Sequence, residues 1–145
     1  MVGADAAQTV LLTKEDNGQF TLDGQTTLKL QAGGRPDAYS IIHGQFTDYV
    51  KQHQVQCVCF KGSAVSLGGT KLAHLQAAEL RGVLQAAAAG ATEVRTMTKS
   101  AASRNFGTRK VDEYLKDDSF WTGSLATVKK GLREAAFAAI SEFSK

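Results

Sequence analysis

One short run, residues 55–60, constrains the fold of this chain more than any other stretch. Its sequence, Val-Gln-Cys-Val-Cys-Phe, is apolar at nearly every position, which is typical of a strand covered on both sides. A helical stretch over about residues 70–89 follows, ends at Gly90 as helices often do, and leads to another strand at 92–97. This order predicts parallel strands joined by a helical crossover.

The first thirty residues predict antiparallel strands. An apolar strand over residues 2–12 is interrupted at 5–8, and Glu-Asp-Asn-Gly at 15–18 is a hairpin-turn sequence. Residues 20–22 form the returning strand. Asp23-Gly24 is a second turn sequence, and residues 26–30 alternate as a third strand. The chain therefore begins with a predicted three-stranded meander.

Helices are predicted at three further places. Apolar residues at helical spacing mark a helix over about 39–52, and Thr98 or Ser100 would cap a short helix near 100–106. Residues 112–124 are polar and irregular. The last helix begins near Ser124 and keeps its apolar spacing to residue 143. Small residues in the 70–89 helix, Gly82 among them, predict close packing on a sheet.

The predicted fold is α/β, with one mixed five-stranded sheet, a meander followed by parallel strands, and helices on both faces. A chain of 145 residues suits one domain, 1–145. No apolar run approaches the roughly 20 residues that span a bilayer. The N-terminus shows no signal-peptide pattern. We therefore expect a cytoplasmic protein without membrane contact.

Three short sequences, in this order, carry a family resemblance. They are Val-Gly-Ala-Asp at 2–5, Leu-Arg-Gly-Val at 80–83 and Glu-Ala-Ala-Phe-Ala-Ala-Ile at 134–140. With the element order, they resemble the ribonuclease-H-like fold. Within that superfamily the chain looks most like RuvC-type Holliday-junction resolvases and a small bacterial family related to them. The resemblance implies a metal-binding acid in the first strand, which would be Asp5, and an acid in the last helix, which would be Glu134.

The resemblance also implies an acid at the end of the 55–60 strand, where this chain has Lys61. Cleavage by two metal ions needs several carboxylates that hold two divalent cations about 3.5–4 Å apart. Mg²⁺ prefers such oxygen ligands. An ammonium group at Lys61 repels a divalent cation and cannot ligate it. This substitution indicates a degenerate metal site.

Three acids are candidate catalytic residues if the chain is a nuclease: Asp5, Glu79 and Glu134, with Asp5 and Glu134 as metal ligands. Each also has a structural interpretation. The Asp5 carboxylate could cap a turn, and Glu79 and Glu134 could be surface glutamates. Glu79 would have to turn toward the strand ends, and Glu134 toward Asp5, to complete a site for Mg²⁺ or Mn²⁺.

Four residues are candidate phosphate or anion ligands: Lys61, Lys99, Ser100 and Arg104. Lysine binds phosphate as a point charge, and hydroxyls and free amides at a helix start suit an anion. Exposed lysines and a helix cap explain the same residues without a ligand.

Three functions follow from these residues. In the first, the chain is a RuvC-like protein that binds nucleic acid or a partner without cutting. In the second, it is a nuclease that depends on Mg²⁺ or Mn²⁺. In the third, it is a small-anion-binding regulatory domain. A net charge of +3 permits nucleic-acid binding without requiring it, and the resemblance implies a homodimer.

Overall fold

A computed structural model describes residues 1–62, 69 and 71–144 of the chain. They divide into two compact units. Of the described residues, 1–8, 27–58, 69 and 71–95 form the first unit, and 9–26, 59–62 and 96–144 form the second. The loop predicted at 62–69 lies, except for its two ends, outside the described residues.

The described residues form four strands in two two-stranded sheets, where we predicted five strands in one. Strand β1 (Ala6–Lys14) pairs with β2 (Phe20–Lys29), and β3 (Cys57–Lys61) pairs with β4 (Glu93–Met97). Just past the ends of β3 and β4, the Gly62 amide donates to the Met97 carbonyl at 2.8 Å. These two strands therefore end side by side, as a helical crossover requires.

The turn predicted at Asp23-Gly24 is wrong, because β2 runs through it unbroken. The Thr13 hydroxyl donates to the Asp23 carboxylate at 2.6 Å, so Asp23 is engaged across the hairpin. Gly18, in the hairpin turn that we predicted correctly, has a φ of 81°, whereas Gly24 does not have a positive φ. The meander is therefore a hairpin of two long strands.

The polar interruption predicted at residues 5–8 is also placed differently. β1 begins at Ala6, and the preceding residues fold back on it through an antiparallel bridge between Val2 and Ala7. The Gly3 amide donates to the Ala6 carbonyl at 2.8 Å. Asp5 therefore lies in a bend just before a strand instead of inside one.

Two long helices form most of the first unit: α1 (Arg35–Gln52) and α2 (Leu72–Ala89). Helix α1 begins four residues before the predicted 39, because Pro36 occupies its first turn, where proline is favoured. A Cβ atom at Gly82 would meet no atom within 4 Å, so close packing does not explain this glycine. The buried side chains of the pair are Ala38, Ile42, Phe46, Val50, Leu80, Leu84, Ala87 and Ala88.

Three helices belong to the second unit: α3 (Lys99–Phe106), α4 (Val111–Lys116) and α5 (Arg133–Phe143). The Thr98 hydroxyl accepts from the Ala101 amide and caps α3, as predicted. Helix α4 lies where we predicted irregular structure. Phe137, fully buried, packs with an aromatic cluster of Phe106, Tyr114 and Phe120.

The last helix is shorter than predicted, because its expected first turns are two 3₁₀ segments, Gly123–Thr127 and Lys130–Leu132. Side chains and amides of β2 bind this stretch: Leu22 N–H donates to the Ser124 hydroxyl at 2.6 Å, and the Gln25 amide bonds Thr127 O and Lys129 N. These hydrogen bonds engage backbone groups that an α-helix would have used internally.

None of the helices in the described part of the chain is both long and apolar enough to cross a bilayer.

The course of β2 can be tested with two glycine substitutions. Gly24→Ala should raise the free energy of unfolding by about 0.4–1 kcal/mol, because alanine fits an extended strand and restricts the unfolded chain. Gly18→Ala, the matched control, should lower it by about 1–2 kcal/mol because of its left-handed backbone. Urea unfolding measures both. Equal destabilisation by the two variants would contradict a continuous β2 and support a turn at Asp23-Gly24.

Candidate functional site

The end of β3 and the start of α5 meet in an ion pair. The Lys61 ammonium donates to Glu134 Oε2 at 2.8 Å. Lys99, the first residue of α3, lies 3.4 Å from Glu134 Oε1 and donates to Asp112 Oδ1 at 2.9 Å. We call these four residues, Lys61, Lys99, Asp112 and Glu134, the lysine–acid cluster. All four belong to the second unit.

The cluster has a buried and an exposed end. The Glu134 side chain is 18% exposed, whereas those of Lys99 and Asp112 are 49% and 63% exposed. The buried oxygen, Oε1, accepts no hydrogen bond, so the ion pair with Lys99 is its compensation. Lys61, Lys99 and Glu134 line a small recess that is partly open to solvent. The rest of the lining is Met97, Thr98, Ala102, Val111, Phe137 and Ala138.

The charges of the cluster shift two pKa values in opposite directions. The hydrogen bond from Lys99 lowers the pKa of Asp112, helped by the charges of Lys99, Lys116 and Lys61. The hydrogen bond to Asp112 raises the pKa of Lys99, and the charge of Glu134 adds to the effect. Both groups are therefore held in their charged forms.

A second polar cluster lies in the first unit around Arg35. Its guanidinium donates to Asp5 Oδ1 and to the Ala4 carbonyl, both at 2.8 Å, and to the Tyr39 hydroxyl at 2.9 Å. The Tyr39 hydroxyl in turn donates to Glu79 at 2.7 Å. Burial, followed by the hydrogen bond to Glu79, raises the pKa of Tyr39. Arg35 thus holds the Asp5 loop against α1.

The candidate acids therefore divide between the units. Asp5 and Glu79 share the Arg35 cluster, where Glu79 lies 3.7 Å from Arg35 Nε, and Glu134 belongs to the second unit. A joint site of Asp5, Glu79 and Glu134 stays a prediction. The structure does show that each of these acids has a cation close by.

The candidate anion ligands are brought together in part. Lys61 and Lys99 both contact Glu134. Ser100 lies in the first turn of α3, with its hydroxyl 3.1 Å from that of Thr98. Arg104 is exposed in the last turn of the same helix.

Sequence reasoning missed three residues of these clusters: Arg35, Tyr39 and Asp112. Arg35 precedes the proline that begins α1, and a helix-start prediction there would have placed it near the N-terminus of a helix. Asp112 lies in the acidic first turn of α4, a helix that the sequence did not predict.

The donor set does not fit a ready-made site for divalent cations. Within residues 1–62, 69 and 71–144, no three His, Cys, Asp or Glu side chains are grouped so that they could hold a metal ion. Around Glu134 the two nearest charged partners are ammonium groups. A divalent cation would have to displace them before it could bind the carboxylate.

The fold of this chain is similar to that of two solved RuvC structures. The Thermus thermophilus RuvC structure matches with a TM-score of 0.74 and 14% identity over 98% of this chain and 90% of that one. T. thermophilus RuvC in complex with a Holliday junction substrate matches with a TM-score of 0.73 and 12% identity, over 98% and 89%. No family model matches the chain, and no curated protein does.

The strength of the Lys61–Glu134 pair can be measured with a double-mutant cycle. Lys61→Met should lower the free energy of unfolding by about 1–3 kcal/mol, because it leaves a mostly buried carboxylate with less compensation. Adding Glu134→Gln should recover part of the loss, with a coupling of about 0.5–3 kcal/mol. Lys110→Met is the matched control, since Lys110 is exposed and pairs with no acid in the described residues. Zero coupling would show that the pair does not form.

The pKa of Asp112 provides a further test. Lys99→Met should raise it toward the ordinary value of about 3.9, because the hydrogen bond is lost. A carboxyl pKa that is lower in the folded state stabilises the fold above about pH 3.9, and this contribution disappears as the pH falls through the folded value. Lys99→Met should therefore lose less stability in that acid range than the wild type. Carboxyl ¹³C NMR titration and unfolding at several pH values measure both effects. A pKa unchanged by Lys99→Met would refute the pairing.

Proposed function

We propose that this chain is a RuvC-like protein that binds nucleic acid, alone or with a protein partner, and does not cut it with metal ions. One observation carries the proposal: the Lys61 ammonium is bonded to Glu134 at 2.8 Å. The resemblance places an acid where Lys61 stands. A cation built into the chain therefore takes the place beside Glu134 that a metal ion would need.

Electrostatics supports this interpretation. Two-metal cleavage depends on converging carboxylates whose negative charge holds the ions. In the lysine–acid cluster, two lysines balance two carboxylates, so little net negative charge remains to attract a divalent cation. A metal ion that displaced Lys61 would also have to offset the cost of breaking an ion pair with a mostly buried carboxylate.

Exposed cations of the second unit support nucleic-acid binding. Lysines and arginines bind nucleic acid chiefly through its phosphates. Within the described residues, six exposed cations of this unit form no direct ion pair with a carboxylate: Lys14, Arg104, Lys110, Lys116, Lys129 and Lys130. One of the similar structures is described as a complex with a Holliday junction substrate, so branched DNA is the first nucleic acid to try.

We also propose a single working domain over 1–145, a homodimer and a cytoplasmic location, all from the resemblance and the sequence.

The proposal is tested by binding and cleavage assays on the same substrates. Fluorescence anisotropy with a four-way DNA junction, an RNA–DNA hybrid and a linear duplex should show binding in EDTA that Mg²⁺ does not strengthen. Affinity should fall steeply as the salt concentration rises. None of the substrates should be cut in Mg²⁺ or Mn²⁺. Failure to bind any of the three would overturn the proposal.

The active-nuclease alternative makes the opposite prediction. Cleavage in Mg²⁺ or Mn²⁺ that disappears in Asp5→Asn, and also in Glu79→Gln or Glu134→Gln, would establish it. Thermal melting adds a check without substrate: a metal at 100 times its dissociation constant stabilises the folded state by about 2.7 kcal/mol. A shift of that kind, absent in Asp5→Asn, would favour the nuclease. Lys61 and Lys99 favour a third role, the binding of a small anion.

A further inference from the structure

The contact between Lys99 and Asp112 is the most exposed contact of the lysine–acid cluster. Lys99 contacts two acids, Asp112 at 2.9 Å and Glu134 at 3.4 Å. Its side chain and that of Asp112 are both about half exposed or more. Ion pairs between exposed groups contribute little to stability. Lys99 can therefore leave Asp112 for another anion at small cost, whereas Lys61 is held by the more buried Glu134.

The surroundings of Asp112 contain more positive than negative charge. Lys99, Lys61 and Lys116 all lie near enough to act on its carboxylate. Two of these lysines also act on Glu134. Lys116 thus adds a third positive charge to the two lysines and two carboxylates of the cluster.

Lys99 can be reached by an anion from the solvent side of the recess. Lys61, Lys99 and Glu134 lie on its wall, along with the Thr98 side chain, and part of its volume is open to solvent. The remaining lining residues are apolar. An anion at the mouth would thus meet Lys99 from one side without being buried in an apolar interior.

We propose that Lys99 binds a phosphate group at the mouth of this recess, and that Asp112 is an internal competitor that the phosphate displaces. The inference deepens the proposed function where the phosphate belongs to a nucleic-acid backbone. A free phosphate ion or a phosphate monoester presents the same chemistry. Lysine binds such groups as a point charge, which requires no further shaped ligand set.

Phosphate titration of the full chain by ¹⁵N NMR tests the site, with sodium chloride adjusted to keep the ionic strength constant. Saturable shifts are expected at the Thr98, Lys99 and Ala102 amides. Asp112→Asn should tighten phosphate binding about threefold to tenfold, because the competing carboxylate is removed. Lys99→Met should abolish the shifts, and Lys99→Arg should restore them at least in part.

The matched control is Glu113→Gln, which removes the same charge one residue away. Glu113 lies 3.8 Å from Arg109, outside the cluster. The Glu113→Gln variant should bind phosphate with close to wild-type affinity. Equal tightening by Asp112→Asn and Glu113→Gln would mean a general charge effect and would overturn the inference. So would phosphate shifts that survive Lys99→Met in a folded protein.

The same variants on a four-way junction separate the two sources of phosphate. Tighter junction binding by Asp112→Asn, and weaker binding by Lys99→Met, would assign the site to the nucleic-acid backbone. Junction binding that ignores both variants, beside phosphate binding that responds, would support the site and assign it to the free anion. No saturable shift in wild type or Asp112→Asn would overturn the inference, and junction binding that persists would leave the proposed function standing. Phosphate binding without any nucleic-acid binding would support the phosphate site and overturn the proposed function.

Discussion

The bond between Lys61 and Glu134 governs the chemistry of the second unit. Glu134 is only 18% exposed, and one of its oxygens accepts no hydrogen bond. Burying a carboxylate in such a position is costly unless a cation lies close to it. Lys61 and Lys99 provide that charge from the end of β3 and the start of α3. The pair thereby connects the end of β3 to α5 and places positive charge on the wall of the recess.

The Arg35 cluster follows the same principle in the first unit. Asp5 lies in a bend before β1, where its carbonyl accepts a hydrogen bond from the Leu30 amide at 2.8 Å. Arg35 reaches it with one nitrogen and the Ala4 carbonyl with another, and its remaining nitrogen donates to Tyr39. The planar guanidinium can make these bonds at once, which a lysine could not. An acid that the sequence presents as a metal ligand is therefore also the partner of an arginine.

Much of the element order could be predicted from the sequence, because it depends on local patterns. The apolar run of β3, the turn at Gly18, the Thr98 cap and helix α2 are each specified by residues close together in the chain. The errors have a different cause. β2 continues through Asp23-Gly24 because Thr13 bonds Asp23 across the hairpin, and the last helix starts late because β2 binds the 3₁₀ segments. Those bonds join residues far apart in sequence, which periodicity cannot detect. The site shows the same division: Lys61 stood out at a strand end, but its bond to Glu134 spans 73 residues.

The lysine–acid cluster also changes what limits the approach of nucleic acid. A carboxylate-only centre repels phosphate until divalent cations neutralise it, so binding and metal occupancy are coupled. Here Lys61 and Lys99 supply positive charge permanently, as covalent parts of the chain. Under the proposed function, affinity should then respond to ionic strength through the counterions that lysines release, and not to chelation of metals. Added salt weakens binding through lysines, whereas EDTA weakens binding and cleavage that depend on divalent cations. The two responses, measured on one substrate, therefore separate a protein that holds nucleic acid from one that cuts it.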